Sequence, residues 1–182
     1  MLIRTYEDRD RERVEEICVI TDNSHLERNL LFTLYCHYYI DYEKENCFVA
    51  EEDGKVVGYI ISAKDNKVWK DRFTSILDSS TPEIREKGLE SISGYLPFYA
   101  QYPAHLHIDI DPDYQRMGIG HRLMDALLAH YKNQGVKGVM LGVDPNNTKG
   151  VSFYKKYGFV PLDQSGVWWG TKLCYRWKGL LG

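Results

Sequence analysis

His105, His107 and Asp109 occupy alternate positions between Ala104 and Asp111, with Leu106, Ile108 and Ile110 between them. Imidazole titrates close to neutrality, so a row of this kind can take or pass a proton at physiological pH. It is a poor metal site, because no third ligand cluster with zinc-type spacing accompanies the two histidines. An inert pair on a polar strand face is the other reading of the same residues. Just downstream, Gln115, Gly118 and Gly120 mark a loop in which the backbone can approach a ligand closely. At the start of a helix, unpaired N–H groups converge and the dipole adds about half a positive charge, which makes an anion site. Arg116 and Arg122 bring mobile positive charge to the same spot. The ligand these features call for is a pyrophosphate. One Gly-x-Gly alone fits a plain strand-to-helix turn equally well. The third glycine of a dinucleotide fingerprint is missing, and so is the Gly-Lys-Ser/Thr of a P-loop.

A strand, a turn and a helix must hold these residues, and the chain supplies them in that order. The alternation through 105–111 predicts the strand, and Asp111, Pro112 and Asp113 end it. Ile119, Leu123, Met124, Leu127, Leu128 and Tyr131 then repeat with helical spacing to about Gln134. Upstream, Leu2–Thr5 reads as a first strand and Glu7–Ile20 as a helix with Val14, Ile17 and Val19 on its stripe. After Asp22, Asn23 and Ser24, a single helix is expected over about 27–42. It is apolar almost all round and therefore mostly buried. Cys47–Glu51 and Lys55–Ser62 read as a hairpin turning at Asp53 and Gly54. From about 64 to 103 comes a long connection with a helix over 83–95, capped at Thr81 and Pro82, among Trp69, Phe73, Tyr95, Phe98, Tyr99 and Tyr102. It reads as a lid over the site, or as a structural extension or dimer surface. Gly138–Val143 is a buried strand and 148–157 a helix, and Phe159-Val160 and Trp168–Trp177 close the fold as an antiparallel pair. The result is an α/β chain with a mixed, mostly antiparallel twisted sheet flanked by helices, in one domain over 1–182.

The loop Gln115-x-x-Gly118-x-Gly120 resembles the pyrophosphate loop of the GNAT N-acetyltransferase superfamily. The run Asn147-x-x-Gly150-x-x-Phe153-Tyr154-x-x-Tyr157-Gly158-Phe159 resembles a second signature of that family, at the right separation. The resemblance implies the GNAT fold and transfer of acetyl from acetyl-CoA to a primary amine of a small molecule or peptide, within a ternary complex. It implies that the backbone of Ile108, Asp109 and Ile110 holds the pantetheine arm, with Gln115, Arg116, Met117, Gly118, Ile119 and Gly120 on the pyrophosphate. Asn147 falls at a cofactor-bonding position. Tyr154 matches the family's general-acid tyrosine, which also touches the cofactor. A buried tyrosine bonded to a carbonyl is the plainer alternative. For the base, the family's glutamate position holds Ala104, whereas His105-Leu106-His107 is similar to the histidine pair of aralkylamine acetyltransferases. His107 or Asp109 is then the candidate to take the amine proton. Tyr35, His37, Tyr38 and Tyr39 line an acceptor pocket or serve as core aromatics. The segment ending at Tyr102-Pro103-Ala104-His105 is loosely similar to the acetyltransferase-like domains of some O-GlcNAc hydrolases. That similarity makes a catalytically silent acyl-CoA-binding or regulatory module the alternative function.

With 182 residues, 43% of them hydrophobic and 27% charged, the chain can build a sizeable core. A net charge of −3 argues against a nucleic-acid partner and fits a cationic amine acceptor. No apolar run spans a bilayer, and the start of the chain lacks a signal peptide's apolar core. Cys18, Cys36, Cys47 and Cys174 lack paired spacing and read as reduced thiols of a cytoplasmic protein. The closing strand pair offers an edge that a second copy would cover in a homodimer.

Overall fold

A computed structural model describes residues 1–173. Among the described residues seven strands form one sheet: β1 (Leu2–Thr5), β2 (Phe48–Glu52), β3 (Lys55–Ala63), β4 (Ala104–Ile110), β5 (Gly138–Gly142), β6 (Val160–Pro161) and β7 (Trp168–Lys172). Their spatial order is β1-β2-β3-β4-β5-β7-β6, and every neighbouring pair is antiparallel except β4 with β5. Among the described residues the helices are α1 (Arg11–Thr21), α2 (Arg28–Tyr35), α3 (His37–Tyr42), α4 (Asn66–Asp78), α5 (Pro82–Tyr95), α6 (Ile119–Asn133) and α7 (Thr148–Lys156). The part of the closing pair expected beyond residue 173, including Trp177, lies outside the described residues, as does Cys174. The other three cysteines are free and buried.

Strand alternation divides the core in two. Tyr59, Ile61 and Met140 face a cluster built on the α1–α5 side, while Ile60, Leu106, Val139 and Leu141 face one that includes Leu123, Met124, Leu127 and Tyr131 of α6. The helix expected over 27–42 is two helices. Cys36, with φ −138° and ψ −67°, breaks the run, so that Leu30, Leu31 and Leu34 of α2 and Tyr38, Tyr39 and Ile40 of α3 can each reach the core. One straight helix offers a single stripe, and a run that is apolar all round does not fit on it.

The long connection also holds two helices where one was expected. Asp65 caps α4 by accepting from the Lys67 and Val68 amides. Trp69, Phe73 and Leu77, one turn apart, then bury a stripe against Tyr38, Tyr95 and Gly88. The segment is therefore part of the core as well as a cover.

Candidate active site

β4 and β5 pair only at their starts, Ala104 with Val139 and His105 with Met140. Past that point β4 keeps its ladder to β3 through Gly58–Ile110, while β5 pairs with β7. The side of β4 facing β5 is thus an open backbone edge inside the sheet, able to bond an extended ligand as another strand would. The strand's far end is fixed by Arg13, which pairs with Asp111 and donates from Nε to the Val56 carbonyl at 2.9 Å.

At that end the chain turns through Arg116 (φ 65°) and Gly118 (φ 79°) into α6. The first intrahelical bond runs from the Arg122 amide to the Gly118 carbonyl, so the amides before it have no partner in the helix. Of the residues expected to hold the cofactor, Ile108, Asp109, Ile110, Gln115, Arg116, Gly118, Ile119, Gly120, Asn147 and Tyr154 all line one cleft of ≈ 470 Å³. Met117 does not. Its side chain is exposed beyond the loop. Arg122 also turns away, donating to the Met1 carbonyl at 3.2 Å. Asn147 caps α7 by accepting from the Gly150 amide at 2.9 Å, which leaves its Nδ2 to donate elsewhere. A Cβ on residue 150 would sit 2.7 Å from that nitrogen, so glycine leaves room for the cap.

A second cleft, ≈ 650 Å³, shares Asp109, Gln115 and Asn147 with the first and adds His107, Tyr35 and Asp144. A third, ≈ 530 Å³, shares His107, Tyr35 and Asp144 with the second and is walled by Tyr95 and Glu90 of α5 and by Trp168 of β7. The three run in series, with Tyr154 in the first, Asp109 between first and second, and His107 between second and third. Of the four aromatic candidates on the early helices only Tyr35 lines this passage. His37 lies 2.9 Å from Glu15 on α1, and Tyr38 and Tyr39 are core.

The Tyr154 hydroxyl makes no hydrogen bond among the described residues. Burial, with the nearby Asp109 carboxylate, raises its pKa and keeps it protonated at neutral pH. Tyr157, one turn on, is instead tied to His121. Burial also raises the pKa of Asp109, against the opposing effect of the Tyr59 hydroxyl, which donates to it at 2.7 Å. It lowers His107 to about 4, so this ring is neutral at pH 7 and holds a free lone pair. His105 is fully buried behind it.

The model of the Acetyltransferase (GNAT) family matches residues 5–159. The chain belongs to the GNAT acetyltransferase family. Its fold follows the crystal structure of SsHAT with a TM-score of 0.81 and 28% identity, over 95% of this chain and 98% of that one. The Salmonella typhimurium protein yncA, solved with its cofactor acetyl-CoA, has the same fold at a TM-score of 0.62 and 17% identity, over 96% of this chain and 94% of that one. A mycothiol acetyltransferase of Geodermatophilus obscurus is 42% identical over 53 residues. That match covers 29% of this chain and only 17% of the relative's length.

Several residues of this GNAT chain that line the passage carry no signal in the family motifs. Thr21 and Asn23 enter the first cleft from the end of α1, and Lys149 from the start of α7. Lys149 occupies a variable place in the Asn147 signature, where a cation has value only once the helix points at the cleft. Tyr95 and Trp168 were legible as aromatics but not as neighbours, since 73 positions separate them and their rings lie 4.8 Å apart.

Proposed function

We propose that the protein transfers the acetyl group of acetyl-CoA to a primary amine. The observation that carries this reading is the serial passage, with a hydroxyl fit to give a proton in the first cleft and an imidazole fit to take one between the second and the third. Fit to the cofactor rests on the split edge of β4, and on the amides at 118–121 and the Asn147 Nδ2, which have no hydrogen-bond partner among the described residues. When bound there, acetyl-CoA supplies an acetyl group activated as a thioester. Arg116 and Lys149 meet the phosphates, and the open backbone of β4 receives the arm. Tyr154 donates its proton to the departing sulfur, and His107 or Asp109 takes the proton of the attacking amine. The clefts hold the two reactants in one passage, which supplies proximity and alignment. Asp144 and Asp22 favour a cationic amine on its way in, and Tyr35, Tyr95 and Trp168 favour an apolar body behind it. A small-molecule amine or the end of a peptide fits these clefts.

Two measurements test the reading together. Calorimetric titration should show acetyl-CoA binding that is lost on Gly118→Glu. With amines of graded apolar size, thiol release should fall at least a hundredfold on Tyr154→Phe while the acetyl-CoA Kd stays within about twofold. Binding without turnover of any amine would leave the silent acyl-CoA module. No binding at millimolar acetyl-CoA would reduce the loop to a turn.

A further inference from the structure

The two histidines of β4 are joined through one hydroxyl, and the direction of that junction follows from atoms that can bond in only one way. Asn66, at the start of α4, donates from Nδ2 to the Tyr102 carbonyl at 2.9 Å. A carbonyl only accepts, so the amide's orientation is fixed and its Oδ1 faces Nδ1 of His105. Oδ1 also only accepts, so His105 carries its proton on Nδ1. Burial holds this ring neutral, which leaves Nε2 as a bare lone pair. Tyr39 Oη lies 2.7 Å from that nitrogen and 2.9 Å from Nε2 of His107. Its single proton must go to His105, since His105 has none to offer there. The Tyr39 oxygen therefore accepts from His107, which carries its proton on Nε2. All four bonds run one way, from His107 inward to the Tyr102 carbonyl. Nδ1 of His107 is left without a hydrogen-bond partner among the described residues, on a ring that lines the second and third clefts.

We propose that Asn66, His105 and Tyr39 are positioning residues that lock His107 as its Nε2–H tautomer and present Nδ1 as the acceptor of the amine proton. This rests on the acetyl-transfer reading and deepens it. The ammonium first releases one proton to solvent; as the neutral amine nitrogen then bonds the acetyl carbon and the carbon–sulfur bond breaks, its second proton passes to Nδ1 and the Tyr154 proton passes to sulfur. Solvent then returns a proton from His107 to Tyr154. His107 gains its proton without any group turning, because Nε2–H keeps donating to Tyr39. Bonds aligned in one direction polarise one another, which strengthens Nδ1 as a base against the effect of burial. Asn66 and Tyr102 both belong to the 64–103 segment, so this segment closes the relay as well as walling the third cleft.

Long-range proton–nitrogen NMR correlations of the protein labelled with ¹⁵N-histidine read the tautomers directly, with His105→Gln and His107→Gln as assignments. The expected result is Nδ1–H for His105 and Nε2–H for His107. Asn66→Leu should release the His105 tautomer, and Asn66→Asp, which retains an acceptor oxygen, should keep it. Tyr39→Phe, which preserves the ring in the core, should lower kcat about tenfold with the acetyl-CoA Kd unchanged. Wild-type His105 protonated on Nε2, or an unchanged kcat in Tyr39→Phe, overturns the relay. The assigned tautomers in a protein that acetylates no amine overturn the acetyl-transfer reading instead, and the catalytic role of the relay with it.

Discussion

Two side chains on the same strand face compete for the role of base, and their surroundings separate them. Asp109 already accepts a hydrogen bond from Tyr59, and burial raises its pKa. It also lines the first cleft, beside Tyr154, and its negative charge helps keep that hydroxyl protonated. His107 lies one step farther along, where the third cleft opens, with a ring nitrogen that bonds no other group among the described residues. Both line the second cleft, but His107 alone of the two also borders the third, where the acceptor's body would rest, and a base must reach the proton it takes. His107→Gln is expected to lower kcat by roughly 10²–10³-fold. Asp109→Asn keeps an acceptor for Tyr59 and should cost less than about tenfold. Steady-state kcat of the two variants checks the order, and the reverse order would move the base to Asp109.

The third cleft depends on how α5 meets the sheet, and two glycines set that distance. A Cβ at Gly94 would stand 2.0 Å from the Trp168 ring, and one at Gly88 would stand 2.4 Å from a Leu77 methyl. Leu77 can shift its flexible end, whereas the indole is held by Tyr95 at 4.8 Å between centroids. Gly94→Ala gains about 1 kcal/mol of helix propensity and loses about 1–3 kcal/mol to overpacking. Net destabilisation with a raised amine KM and an unchanged acetyl-CoA Kd is expected, because the first cleft contains neither residue. Calorimetry and initial rates would show it, and an unchanged KM would mean that α5 does not border the acceptor. The sequence disclosed this architecture unevenly. The strand, loop and α6 were legible because alternation, glycine spacing and helical repeat change within a few residues. The i, i+4 stripe of Trp69, Phe73 and Leu77 after the Asp65 cap was equally present, yet it sits inside an aromatic run that reads as irregular. The break at Cys36 left no mark, since its cause is two packing directions rather than a proline or glycine. Tyr154 came from a motif, while the Tyr39–His105–Asn66 chain joins residues up to 66 positions apart that only the fold brings together.

At the scale of the whole molecule, the buried imidazoles tie stability to pH. Burial lowers His107 to about 4 and lowers His105 and His130 as well, so the unfolded chain binds protons that the folded one refuses. Such groups leave stability intact above about pH 6.5, the unfolded value, and erode it as pH falls toward the folded value. The carboxylates act elsewhere on the scale. Asp10, held below its usual value by Arg4 although burial opposes this, loses its contribution only as pH drops past about 4. Glu43 and Asp109, raised by burial, change in the opposite sense and favour the folded state in acid. A loss that sets in between pH 6.5 and 5 therefore belongs to histidine. For His107 alone the linkage relation gives about 2 kcal/mol between pH 7.5 and 5. Urea unfolding at those two pH values should show a smaller decline in His107→Gln than in the wild type, by about that amount. Equal declines would mean that the ring is as free to protonate in the folded protein as in the unfolded chain, and a ring that free would not be held neutral for use as a base at lower pH.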